Sequence, residues 1–226
     1  MAVLFVLSSH DQLGTTGRKT GTWLEELLAP YYVFVDRGIG TAFVSPRGGD
    51  APLDPASIDA LSGQPLFDRY MKDEKLRDNL RHTGRLSAAR AEDYEAAIYP
   101  GGHGPLFDLR KDVHSQVLIR SMLENKKPVG VICHAGCVLI DIDVGPHTAF
   151  VQGRDVTAFS DSEEAAVGLT DCVPYSVESE LRSKGARYSA APNWTANVRA
   201  DRGLITGQNP ASAAGVAAEI VKALGK

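Results

Sequence analysis

The stretch Val129-Gly-Val-Ile-Cys-His-Ala-Gly-Cys137 decides how the rest of the chain is read. A short, β-branched apolar run, Val129 to Ile132, arrives after Pro128 and breaks at Cys133-His134-Ala135-Gly136. A second apolar run, Cys137 to Ile140, follows at once. The first run is strand-like, and the second has room only to begin a helix. A strand that passes into a helix without a loop puts the junction residue on a tight, often strained turn at the carboxyl edge of the sheet. That residue is Cys133. Amide dipoles at a helix N-terminus favour thiolate over thiol, which would make the sulfur a nucleophile. The plain alternative is a small packed cysteine. The neighbouring His134 and Gly136 favour the reactive reading.

On the N-terminal side, Ala2–Leu7 has the continuous apolar character of a central parallel strand buried on both faces. Trp23, Leu24, Leu27, Leu28 and Tyr31 then recur at helical spacing, with Pro30 expected to kink or break the helix. Thr41–Ser45 is a second strand, and Asp54-Pro55 opens a helix with an N-cap and a first-turn proline. Tyr94–Tyr99 is a third strand. Val113, Val117, Leu118 and Met122 form the apolar stripe of a helix that closes at Lys126-Lys127-Pro128.

Beyond Cys133, turns are expected at Gly145-Pro146 and Gln152-Gly-Arg154, and short strands at 156–159, 188–191 and 204–206. Ser160 to Glu164 is a cap-rich acidic lead into a helix around Ala165–Val167. Val177–Lys184 is helical up to Gly185, and Asn209-Pro210 opens a last helix, Ala211–Leu224. The β-α-β alternation specifies a mostly parallel sheet with helices on both faces, an α/β fold. No repeat, linker or low-complexity tract divides the chain. One domain spanning 1–226 is expected, with a charged helical excursion at about 62–90 around Leu76, Leu80 and Leu86.

The composition excludes several classes of function. With 226 residues, 43% of them hydrophobic, the chain can bury one full core. A net charge of −4 and a pI near 5.9 give no reason to expect nucleic acid or an anionic membrane as partner. No apolar run reaches membrane-spanning length, and the segment from Met1 to Leu7 lacks a basic leader and a cleavage site. Three cysteines, two of them four positions apart, argue against a disulfide framework and for the cytoplasm.

Three further stretches bear on chemistry. Glu25 and Glu26 are adjacent on a helix and point about 100° apart, so either both are solvated or one looks inward. Pro100-Gly-Gly-His-Gly-Pro105 ends a strand with closely spaced glycines, which let backbone N–H groups approach a carbonyl oxygen or oxyanion. Gly17-Arg-Lys-Thr-Gly21 looks like a phosphate loop, but the glycines required before Lys19-Thr20 fall on Leu13 and Arg18. That motif is rejected.

Taken together, Gly17-x-Lys-Thr-Gly21 with Glu26, Gly101-Gly-His-Gly104 with Leu106-Phe-Asp108, Val131-Ile-Cys-His134, Thr157-x-Phe-Ser-Asp-x-x-Glu164 and Thr206-Gly-x-Asn-Pro-Ala-Ser212 resemble the ThiJ/PfpI superfamily. The resemblance covers essentially the whole chain and looks closest to the branch of stress proteins with glutathione-independent glyoxalase III and holdase chaperone activity. It implies a flavodoxin-like sandwich with a nucleophile elbow. It also implies that Cys133 is the nucleophile, that Glu164 orients His134, and that Glu26 is an inward carboxyl beside the sulfur. Gly102 and His103 match the loop whose amides stabilise an oxyanion, and Trp194 matches an aromatic near the pocket.

The implied reaction converts methylglyoxal or a related 2-oxoaldehyde to a 2-hydroxy acid, and it calls for no metal or cofactor. Peptidase or amidase chemistry, deglycase activity and holdase binding of unfolded clients are the alternatives. A homodimer is the default assembly. Ala135-Gly136 replaces the Gly-Pro that commonly follows the histidine, a departure that bears on pocket shape.

Overall fold

The computed structural model describes residues 2–145 and 148–226. In chain order its first half comprises β1 (Ala2–Val6), α1 (Leu24–Val35), β2 (Gly40–Ser45), α2 (Pro55–Leu61), α3 (Pro65–Lys72), α4 (Glu74–Arg81), β3 (Gly84–Arg85), β4 (Tyr94–Tyr99), α5 (Pro105–Asp108) and α6 (Val113–Glu124). After β5 (Val129–Ile132) comes a 3-10 turn, Cys133–Leu139. The remainder is β6 (Asp143–Gly145), β7 (Thr148–Ala149), β8 (Asp155–Val156), α7 (Asp161–Ala166), α8 (Val177–Ser183), β9 (Arg187–Tyr188), β10 (Val198–Asp201), β11 (Leu204–Gly207) and α9 (Ala213–Ala223).

Seven strands form one sheet in the order β10-β11-β5-β4-β1-β2-β3, parallel throughout except for the β10–β11 pair. Strand alternation divides the core into two layers. Val3 and Phe5 of β1 face α1 and α9, whereas Leu4 and Val6 face the layer built by α6 and the segment after Cys133. Glycines let α9 approach the sheet closely, since a Cβ at Gly130 would lie 2.8 Å from the Ile220 side chain and one at Gly207 2.7 Å from that of Val216. Among the described residues, no helix is long and apolar enough to cross a membrane.

Several local expectations need correction. Pro30 neither ends nor breaks α1, which runs on to Val35 with the proline buried inside it. The stripe of α6 is displaced: Val113 and Val117 are 63% and 64% exposed, while Ser115, Leu118, Ile119 and Met122 are buried. The segment after Cys133 is a 3-10 turn rather than an α-helix. The expected strand at 156–159 shrinks to β8, which pairs with β9 outside the main sheet. The turn at Gly145-Pro146 runs into residues outside those described. The last helix is entered through a 3-10 turn, Pro210–Ser212, before α9.

The charged stretch between α2 and β4 is tied to the body of the protein. Leu76, Leu80 and Leu86 are buried, and β3 adds to the sheet edge with Val44 beside Gly84 and Ser45 beside Arg85. Truncating a fully buried leucine costs about 2–5 kcal/mol. Leu76→Ala is therefore expected to lower stability by about that amount in urea unfolding, within a single cooperative transition. A separate early transition with the main one unmoved would show that this stretch folds apart from the sheet.

Candidate active site

The site lies beyond the carboxyl ends of β4 and β5, where parallel α/β sheets place their ligands. Ile132 is extended (φ −124°, ψ 139°), and Cys133 then turns to φ +58° before the chain enters the 3-10 turn. That left-handed conformation costs a residue other than glycine about 1–3 kcal/mol. The loop after β4 closes on this elbow. A Cβ at Gly101 would lie 2.7 Å from the Ile132 carbonyl oxygen and 2.8 Å from the Cys133 Cβ. At Gly102, with φ +89°, it would lie 2.3 Å from the Gly21 carbonyl oxygen. Only glycine fits either position, and the close approach brings the amides of Gly102 and His134 to the Cys133 sulfur.

Glu26 occupies the first turn of α1 and is fully buried. Its Oε2 accepts a hydrogen bond from the Gly101 amide at 2.7 Å, whereas Oε1 is buried without a hydrogen-bond partner; the carboxyl group as a whole has the Cys133 thiol as neighbour. Burial pushes this carboxyl up to about 8, against the pull of the Gly101 amide and the thiol. Glu25, the next residue back, is half-buried.

The expectation that helix dipoles simply lower the Cys133 thiol is overturned. Burial raises it well above its ordinary value, and the charge and hydrogen bond of Glu26 raise it further; only the His134 and Gly102 amides oppose this. The influence of Glu26 depends on its own proton. Once Glu26 is protonated its repulsion disappears, and the carboxyl O–H becomes a donor to sulfur. The two groups therefore titrate as a pair.

His134 approaches the Cys133 Sγ through Nδ1 at 3.3 Å and reaches Glu164 Oε2 through Nε2 at 2.6 Å. His103 Nε2 binds the other oxygen of the same carboxylate, Oε1, at 3.0 Å. Burial alone would raise Glu164, but the hydrogen bonds from His103 and His134 outweigh it and hold the carboxyl at about 2. Burial, reinforced by the neighbouring His103, lowers His134 to about 4. At neutral pH an ionised Glu164 thus accepts from two imidazole N–H groups, and the Nδ1 of a neutral His134 is free to accept a proton.

Aromatic rings extend this array outward. The ring centroids of His103 and His134 are 4.1 Å apart, those of His134 and Phe159 4.3 Å, and those of Phe159 and Trp194 5.9 Å. Trp194 is 49% exposed at φ +63°, and its amide donates to Glu163 Oε1 at 2.9 Å.

A cavity of about 430 Å³ opens over Cys133. Gly102, His103, Cys133, His134 and Trp194 line it, with Glu26 and Glu164 behind that wall. His103 serves the acid rather than the sulfur: its side chain is spent on Glu164. Ala135 and Gly136 are not on the wall; a Cβ at Gly136 would lie 2.7 Å from the Ala158 Cβ. Their departure from Gly-Pro therefore meets the packing behind the site.

Phe159, Trp23, Arg18 and Lys19 also line the cavity, the last two from the rejected phosphate-loop stretch. Sequence reasoning did not select them. Phe159 had a signal, since it stands inside the same motif as Glu164. Among the described residues, His103, His134 and Glu164 also bring three metal-ligating atoms within 4.8 Å of one another.

The model of the DJ-1/PfpI family matches residues 19–223. The chain belongs to the DJ-1/PfpI family. Within that family, it is 30% identical to the glutathione-independent glyoxalase HSP31 of Saccharomyces cerevisiae, over 98% of this chain and 97% of the relative. Glyoxalase III of Candida albicans superposes with a TM-score of 0.88 at 25% identity, covering 99% of this chain and 97% of that one. Rapid Encystment Protein 24 KDa of Francisella tularensis reaches a TM-score of 0.93 at 36% identity, with 99% of each chain covered. The chain thus falls in the glyoxalase III branch of the DJ-1/PfpI family.

The sulfur environments separate the three cysteines. Cys137 is fully buried, its thiol pushed up by burial and donating to the Pro105 carbonyl at 3.3 Å, while Cys172 is half-buried. Only Cys133 combines the cavity wall with amide donors. Peroxide should convert Cys133 to sulfenic and sulfinic acid before Cys137 and Cys172, as read by peptide mass spectrometry. Equal oxidation of all three would remove the distinction drawn for Cys133.

Proposed function

We propose that this protein converts 2-oxoaldehydes such as methylglyoxal to 2-hydroxy acids without glutathione, through a hemithioacetal on Cys133. The observation that carries this reading is Glu26, a buried carboxyl beside the Cys133 sulfur, raised to about 8 and with Oε1 free of any hydrogen bond. An isomerisation that moves hydrogen between adjacent carbons needs such a group, one that takes and returns a proton near neutral pH. The glyoxalases among the full-length relatives support the same reading.

The reacting form holds one proton in the pair, on Glu26, with Cys133 a thiolate. The sulfur attacks the aldehyde carbon C1, and the Gly102 and His134 amides receive the developing oxyanion. Glu26 gives its proton to that oxygen and becomes a carboxylate. It then removes the hydrogen from C1, leaving an enediolate on the sulfur adduct, and returns it to C2. His134 carries the hydroxyl proton from the C1 oxygen to the C2 oxygen through Nδ1, so C1 becomes a thioester carbonyl. Water cleaves the thioester, releasing the 2-hydroxy acid and restoring the proton shared by Cys133 and Glu26. The sum is one dicarbonyl plus one water to one hydroxy acid.

Acyl transfer by a peptidase or amidase would use the same Cys133, His134 and Glu164, and it would leave Glu26 idle. Glu26→Gln separates the two. In the isomerisation it is expected to cost about 100-fold or more in lactate formation from methylglyoxal, with Cys133→Ser inactive and Glu25→Gln near wild type. Near wild-type turnover by folded Glu26→Gln with a reactive Cys133 would overturn the assignment.

The pH profile supplies an independent check. Below about 8 the Glu26–Cys133 pair holds two protons and above it one, the number the reacting form needs, so turnover should rise as pH rises through that value. A rate that falls through this range would contradict the one-proton role.

A further inference from the structure

We propose that His103, His134 and Glu164 form a binding site for a borderline transition-metal dication such as Zn²⁺, and that metal there disables Cys133. Two imidazole Nε2 atoms and a carboxylate are a ligand set such ions favour. Nε2 of His134 and of His103 already lie 2.6 and 3.0 Å from the two oxygens of Glu164. In a tetrahedral Zn²⁺ site with bonds near 2.0–2.1 Å, ligand atoms are roughly 3.3 Å apart. The 2.6 and 3.0 Å contacts would have to lengthen, and all three ligand atoms already lie within 4.8 Å of one another. All three are buried, yet both histidines border the cavity, which gives the ion a route in and leaves its fourth position to water. No ligand-spacing motif announces the group, because its members come from the loop after β4, the elbow and α7.

Coordination forms two N–metal bonds and one O–metal bond and breaks the two N–H···O hydrogen bonds to Glu164. The His134 ring keeps its proton by moving it from Nε2 to Nδ1. For His134 the consequence is direct: Nδ1 faces the Cys133 sulfur at 3.3 Å, and once protonated it donates to the sulfur and accepts nothing. The ring can then no longer take a proton from the thiol or from a bound adduct. Proton-bridged and metal-bridged states of one carboxylate are mutually exclusive, so metal competes with the catalytic arrangement itself.

The test uses Zn²⁺ and Co²⁺ on chelator-washed full-length protein. Titration calorimetry is expected to show one equivalent of Zn²⁺ bound by wild type and by Cys133→Ser. His103→Asn and Glu164→Gln should each weaken binding by about 10-fold or more. The Co²⁺ complex should show ligand-field bands without a sulfur-to-metal charge-transfer band. Zn²⁺ should slow alkylation of Cys133 by iodoacetamide in wild type and not in His103→Asn; this needs no turnover and stands whether or not the glyoxalase reading holds. Should either ligand variant fail to fold, Cys133→Ser and the Co²⁺ spectrum of wild type decide alone. Absence of saturable binding, loss of binding in Cys133→Ser, or a thiolate charge-transfer band would overturn the site.

Discussion

The close contact of a buried carboxyl, a backbone amide and a sulfur, Glu26 with Gly101 and Cys133, is the constraint around which the site is arranged. Satisfying it requires the start of α1, the end of β4 and the end of β5 to meet at one point. Backbone bonds hold them there: the Trp23 amide donates to the Gly101 carbonyl at 2.9 Å, and the Gly104 amide to the Gly21 carbonyl at 3.3 Å. The arrangement carries a cost in stability. Because the carboxyl is raised from 4.5 to about 8, the folded state holds a proton that the unfolded chain releases. Stability therefore falls as pH rises between those values. A glutamine would escape this cost, and its absence is consistent with a carboxyl kept for its proton.

Glu164 is the counterpart that makes the contrast chemical. It is also mostly buried, but two imidazole donors bring it down to about 2, whereas Glu26 has one amide and stays near 8. Two glutamates on either side of one cysteine are thus pushed to opposite protonation states by the number of donors each receives. In the proposed reaction Glu164 is the anion that orients His134 and Glu26 the proton carrier. Backbone and imidazole donors, with burial, are the principal influences on this separation.

The elbow was legible in the sequence because it is local. An apolar β-branched run ending at Cys133, with glycine soon after, states its own geometry, and the alternation of strands and helices followed from similar short-range patterns. The capping residues Asp54 and Ser160 were legible for the same reason: each side chain bonds an amide within three positions. What escaped depends on contacts between distant segments. The antiparallel β10 has no buried residue, Val198 and Asp201 being half-buried and Arg199 and Ala200 exposed, and no run that distinguishes it from a loop. The face of α6 was misread because Ser115, a polar residue, turns inward to bond the Tyr99 hydroxyl at 3.3 Å. The inward direction of Glu26 lay beyond periodicity altogether, since Glu25 beside it is the same residue type. Only the resemblance to a family selected between them.

Glu163, which the sequence offered only as part of the acidic lead from Ser160 to Glu164, links the site to the rim of the cavity. It closes the box with Ser160, and it accepts hydrogen bonds from the Trp194 amide, Gln208 and Asn209 at 2.9, 3.0 and 2.8 Å. Glu164 follows it directly, so on α7 the two side chains diverge by about 100°. One faces the loop that carries Trp194 and the start of the last helix; the other faces His103 and His134. The Trp194 loop and the His103–His134 pair are thus held by adjacent residues of one short helix, the first through Glu163 and the second through Glu164. A substitution that moved α7 would disturb both sets of hydrogen bonds at once, so the rim of the cavity and the contacts of His134 share one support.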